Sequence, residues 1–248
     1  KYTEKDNQKI LAPAFWSSDE QNWMWGIIVS ETDRVVTSGI VNWPSHMGSM
    51  SYGYANYSGG RQINKELYEA IPNSDARKGW WLGADLKSNN LTEDQQAMMT
   101  DYGYGAYTQV KFAPYKNELE TSVNANDIPL MRIEEMYLIK AEALGKTNGA
   151  AALVEYMKKR YTTAPSEAAI KALSDKEYQT LILDERRREF YAEGMRWQDI
   201  KRTNRLELLE TLDGRTYLMY YPIPQDEIDM AGTVAYPQNP GYAGYTGN

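Results

Sequence analysis

Residues 130–145 read LMRIEEMYLIKAEALG, and residues 184–202 read DERRREFYAEGMRWQDIKR. In the first stretch Leu130, Ile133, Tyr137, Ala141 and Leu144 step by three and four, and Gly145 supplies a stop. That spacing predicts an amphipathic helix over 130–145. Ala150–Tyr161 predicts a second helix, whose Lys158, Lys159 and Arg160 suit a C-terminal dipole end. Ser166–Leu173 predicts a short third. Ser174-Asp175-Lys176-Glu177 is a capping box opening a long fourth helix, which carries the 184–189 charges and is expected to reach Glu193 and stop at Gly194. Met195–Leu209 is expected as a fifth. Connections this short favour antiparallel neighbours. The chain is therefore mainly α in this half, with an extended, Pro-rich tail from Tyr220.

Upstream the pattern changes. Residues 1–125 are turn-rich and weakly periodic, and six of the seven tryptophans fall within the first 81 residues. Trp23–Ser30 (WMWGIIVS) is an apolar run expected as a buried strand, and Thr108–Phe112 as another. Gln62–Ile71 and Leu91–Thr100 are expected as short helices, the second opened by Thr92. Residues 126–215 hold 16 basic and 16 acidic residues, so the whole net charge of −7 lies outside that window. The expected organisation is a loop-rich, aromatic layer over 1–125 and a helical region over 126–248, joined as one structural unit.

Composition narrows the chemistry. A net charge of −7 gives no general attraction for phosphate backbones, so nucleic acid is not an expected partner. With no cysteine and one histidine, disulfides, thiol catalysis and any site needing two histidines are excluded. No apolar stretch is long enough to span a membrane. The chain opens Lys1-Tyr2-Thr3-Glu4, as a processed or truncated piece would. Asp6, Asp19, Glu20, Asp33, Asp75 and Asp85 are scattered without calcium-loop spacing. No cofactor is expected, although a calcium site assembled from distant segments stays open at this point.

Two clusters carry what remains. Glu185, Arg186, Arg187, Arg188 and Glu189 are followed by Glu193, Arg196 and Asp199. Carboxylates among so many guanidiniums are held ionised, unlike a general acid, so the cluster reads as an ion-pair lattice between helices. The second cluster is Trp43, Tyr52, Tyr54 and Tyr57, close to Asn42, Ser45, His46 and Asn56. Ring faces stack on the C–H face of a sugar, while hydroxyl and amide groups meet its hydroxyls. Asn42, Trp43, His46, Tyr52, Tyr54 and Tyr57 are thus the candidate ligand-binding residues. The same aromatics are also what a loop layer would bury as its own core, and both readings stand here. Trp80-Trp81 reads as core.

Asp127-Ile128-Pro129-Leu130-Met131-Arg132 followed by Glu135–Ala143 resembles the central motif of the SusD/RagB family. Glu185-Arg186, Glu189-Phe190, Glu193-Gly194, Arg196-Trp197 and Asp199–Arg202 resemble its second motif. Tyr221–Gln225 with Glu227-Ile228, then Gln238–Tyr242, resemble its C-terminal signature. Asn73–Arg77 and Val110–Phe112 are weaker matches. The resemblance covers about 70–242 well and the first 70 residues loosely. It implies a SusD-like fold of tetratricopeptide-like helix pairs packed against a loop-rich layer with a few short strands. It implies a non-catalytic surface lipoprotein that captures oligosaccharide for a TonB-dependent transporter of the outer membrane. Members run to about twice this length and begin at a lipidated Cys, so this chain looks like a C-terminal portion or a short member. Membrane contact is then expected only through an anchor that the chain lacks.

The other readings are a glycoside hydrolase, which needs two facing carboxylates, and a helical-repeat scaffold that binds only protein. The aromatic loop has no acid between Asp33 and Glu66, which weighs against the hydrolase.

Overall fold

The computed structural model describes residues 15–39, 42–209, 212–232 and 236–243; Lys1-Tyr2-Thr3-Glu4 and Asp6 lie outside them. The first half is made of short elements: strand β1 (Trp23–Ile27) and helices α1 (Arg34–Thr37), α2 (Trp43–Met47), α3 (Tyr54–Tyr57), α4 (Lys65–Glu69) and α5 (Glu93–Asp101). Thr92 and Gln95 close a reciprocal capping box on α5.

The expected helix at 130 begins three residues later. Strand β2 (Ile128–Arg132) comes first and pairs antiparallel with β1, Trp23 opposite Arg132 and Ile27 opposite Ile128. Pro129 keeps Ile128 out of the helical region, and its missing N–H is tolerated in a strand with an open edge. β1 is not the buried strand its apolar run suggests. Only Trp23 is buried, and Trp25 is 63 % exposed. Thr108–Phe112 is fully buried but forms no sheet. It touches its neighbours through single bridges, Thr108 with Gln62 and Gln109 with Trp81.

The helical half follows the sequence closely. Helix α6 (Ile133–Met157) breaks at Gly145, where φ is +65°, a conformation that favours glycine. Beyond the break Gly149 packs on the Ala141 carbonyl, so the two segments form a tight pair. Helices α7 (Glu167–Lys171) and α8 (Asp175–Glu189) pack against α6. Ser174 and Glu177 form the expected capping box. However, α8 ends at Glu189, not Glu193. The Glu189 carbonyl accepts from Arg132 (3.0 Å) and Lys111 (2.9 Å), so buried cations satisfy the helix end.

The chain forms two compact units, divided between Glu193 and Gly194. The compositional line at 125/126 lies inside the first. There Arg77 and Lys111 of the loop layer are ion-paired to Glu185 and Glu193. The second unit holds α9 (Met195–Thr203) and α10 (Gln225–Met230), and its core gathers Ile200, Leu212 and Met219 with Trp197 of α9 packed against them. Its tail is tied by side-chain amides. Gln238 accepts from the Ile223 N–H (2.7 Å) and donates to its carbonyl (2.9 Å), and Asn239 donates to the Tyr221 carbonyl.

Candidate functional site

The segment 42–57 folds into α2 and α3, two helices too short to be stable alone. Asn42 caps α2 by accepting from the Ser45 N–H, and Pro44 sits in its first turn. Gly53 is required by close approach. A Cβ there would stand 2.7 Å from the Ser45 Cβ, so only glycine lets the two short helices touch.

This packing presents the tyrosines outward. Tyr52 and Tyr54 are about two-fifths exposed and Tyr57 is 67 % exposed. Tyr52 and Tyr57 meet edge-on, with ring centres 5.2 Å apart, and their hydroxyls share a 2.6 Å hydrogen bond. That bond with the Tyr57 hydroxyl raises the pKa of Tyr52. Tyr54 stacks on His46 at 4.7 Å and 14°, which backs one ring face and leaves the rest of the ring accessible. The patch therefore offers partly exposed rings and two hydroxyls already aligned with each other.

The other two sequence candidates are placed differently. Trp43 is half-buried and packs edge-on against Phe112 at 5.0 Å, beside Phe15 and Trp23. Asn42 uses its amide inside the protein, donating to the carbonyls of Val35 (3.1 Å) and Asn124 (2.8 Å). Trp80 and Trp81 are buried. Two residues that local sequence reading missed approach the patch from elsewhere. Tyr102 is 46 % exposed and is hydrogen-bonded to Glu120. The next carbonyl, of Thr121, accepts from the Tyr52 N–H at 2.9 Å.

Behind the layer lies the ion lattice. Asp75, Glu134, Glu185, Glu189 and Glu193 face Arg77, Lys111, Arg132, Arg160 and Arg188, five charges of each sign. Glu189 is central: it accepts from Arg160 Nε (2.8 Å), Arg132 (3.0 Å), Arg77 (3.3 Å) and the Tyr156 hydroxyl (2.7 Å). Burial opposes its ionisation, but the guanidiniums of Arg160, Arg132 and Arg77 outweigh it and hold it well below the usual carboxylate range. A carboxylate so held cannot donate a proton near neutral pH. Among the described residues, no group of three or more His, Asp or Glu side chains is placed to hold a metal ion. Nor, among them, is any helix long and apolar enough to cross a membrane.

Comparison with known proteins agrees with this architecture. The profile described as the SusD family matches residues 42–215. SusD-like protein P38 of Formosa agariphila is 33 % identical over 111 residues, which is 41 % of this chain and 22 % of that protein. The starch-binding protein SusD of Bacteroides thetaiotaomicron is 30 % identical over 149 residues, 54 % of this chain and 25 % of that protein. Among solved structures, surface glycan-binding protein A of Bacteroides thetaiotaomicron, in complex with laminarihexaose, superposes with a TM-score of 0.58 at 19 % identity. That superposition covers 96 % of this chain and 56 % of the other. The chain thus matches about a quarter of the length of those curated relatives. With paired helices against a loop-rich layer, and a family match that runs from α2 into the second unit, this chain belongs to the SusD family.

Proposed function

We propose that this chain binds an oligosaccharide without cleaving it, at the cell surface, and passes it to a TonB-dependent transporter in the outer membrane. The observation that carries this reading is the exposed trio Tyr52, Tyr54 and Tyr57 on α2–α3, with His46 behind Tyr54. Such rings cover the C–H face of a sugar, and the paired hydroxyls meet its rim. The likeness to proteins described as binding starch and laminarihexaose supports the same ligand class. Asn42 and Trp43 belong to this reading as supports of the surface. Hydrolysis would need two carboxylates facing one sugar. Lattice carboxylates are buried and paired.

Isothermal titration against laminarihexaose and soluble starch fragments tests the proposal. Tyr57→Ala and Tyr54→Ala should each weaken the best ligand about fivefold, the equivalent of about 1 kcal/mol per ring face. Both should leave the melting temperature unchanged. Trp43→Ala should instead lower stability, by roughly 2–3 kcal/mol for a half-buried ring. Unchanged affinity in both tyrosine variants refutes the site, and release of reducing ends on long incubation refutes the non-catalytic reading.

A further inference from the structure

A pocket of about 360 Å³ opens between α4 and the segment 79–90, and it shares no residue with the tyrosine patch. Its size sits near the lower end for ligand pockets, about 300–1,000 Å³, which suits one sugar ring and not an extended chain. We propose that it seats a single uronic-acid unit, the carboxylate-bearing residue of an acidic glycan. The sugar character of the ligand rests on the proposed function, but its charge does not.

The charge comes from the pocket's own side chains. Lys78 donates to two neutral acceptors, the Ile71 carbonyl and Asn73 Oδ1, both at 2.8 Å, so its positive charge is not cancelled there. Lys87 lines the mouth and is exposed. Asp75 also lines the pocket, yet its carboxylate is taken by Arg77 at 2.8 Å and Arg188 at 3.6 Å. That leaves Asp85 against two ammonium groups. The hollow is therefore locally cationic in a protein of net charge −7.

The remaining lining fits a sugar ring. Tyr68 lines the wall, packed on Tyr107 at 5.0 Å with the Lys78 ammonium over its ring at 5.0 Å. The Asp85 carboxylate accepts hydroxyl hydrogens, while Lys87 reaches a ligand carboxylate by a charge-assisted bond. Gly83 keeps the space open: a Cβ there would stand 2.7 Å from Asp85 Oδ1 and 3.3 Å from the Tyr68 hydroxyl.

The test is an amide-shift NMR titration of the full chain with D-galacturonate and D-glucuronate, each set against neutral D-galactose and D-glucose. The uronates are expected to move amides at 83–90 and to bind at least threefold tighter than the neutral sugars. Lys87→Ala should weaken them about threefold, as an exposed ion pair would. Gly83→Ala should abolish those shifts without loss of folded signal. Silence at 83–90 from all four sugars overturns the proposal, as does equal binding of neutral and charged sugars, or binding that survives Gly83→Ala. Tyr57→Ala separates this site from the surface patch. It should leave the uronate shifts intact while weakening oligosaccharide, so either reading can fail without the other.

Discussion

Replacing Glu189 by glutamine removes one charge and almost no volume from the centre of the lattice. The carboxylate accepts from Arg160 through Nε (2.8 Å) and Nη2 (3.1 Å), from Arg132 (3.0 Å), Arg77 (3.3 Å) and Tyr156 (2.7 Å). Glutamine keeps one acceptor and turns an NH2 group toward guanidinium donors, so several bonds are lost together. The five-to-five charge balance becomes five cations against four anions among buried side chains. Breaking a buried pair from one side costs about 3–5 kcal/mol, or on the order of 10 °C in melting temperature for a unit of this size. Urea unfolding followed by tryptophan fluorescence measures it, because six of the seven tryptophans precede Gly194 and report the first unit. The double variant with Arg160→Met should cost less than the sum of the singles by about 1–3 kcal/mol, since it restores the balance. A loss under about 1 kcal/mol in Glu189→Gln, with an unchanged urea slope, would refute the view that this charge is held by its partners.

Lys111 gives a pH dependence of known sign. Burial lowers its pKa to about 8 from the ordinary 10.5, against the pull of Glu193. The folded state therefore releases this proton before the unfolded state does, and stability from this group rises from about pH 8 toward pH 10.5, by roughly 3 kcal/mol in full. The stability difference between wild type and Lys111→Met should grow in favour of wild type from pH 7 to pH 9.5 in urea titrations, and a flat difference would contradict the assignment. Gly149→Ala should lower the melting temperature. Its methyl would overlap the Ala141 carbonyl and stand 2.7 Å from the Tyr178 hydroxyl; overpacking of roughly 1–3 kcal/mol exceeds the gain in helix propensity of about 1 kcal/mol. An unchanged melting temperature would mean that the two segments of α6 separate at no cost.

What could be read from sequence was local. The Ser174/Glu177 capping box, the Thr92 cap and the Gly145 break each depend on residues within one turn, and each is present. What was hidden depends on remote partners. Leu130–Arg132 fall within the helical pattern, yet they are strand, paired with β1 about a hundred residues earlier. Thr108–Phe112 has the composition of a strand, but it is fixed by side chains: Lys111 Nζ donates to the carbonyls of Glu189 and Tyr191 and to Glu193. The site shows the same division. A cluster of tyrosines was visible as composition, whereas exposure was not. Nothing in the sequence separates Trp43, turned toward Phe112, from Tyr57, turned toward solvent. Tyr102 and Glu120 reach the patch only through tertiary contacts.

The buried charges and the exposed rings are linked through one segment. Gln109 donates through its side chain to the Met47 carbonyl at the end of α2, and its own carbonyl accepts from Ser49 at 2.7 Å. Its N–H donates to Arg61, whose guanidinium in turn donates to the His46 carbonyl. Two residues on, Lys111 enters the lattice. On the other side Asn124 joins the carbonyl of Tyr52 to the amide of Asn42. Helices of four and five residues have no stability of their own, so the ring positions are set by these anchors. Sugar contacts are individually weak, because each hydroxyl exchanges water for a protein partner at small net gain. A weak site gains most when little has to be ordered on binding. In the proposed binding, a charge lattice that is balanced, buried and tied to the ring-bearing helices through Gln109 would lower that ordering cost without touching the ligand.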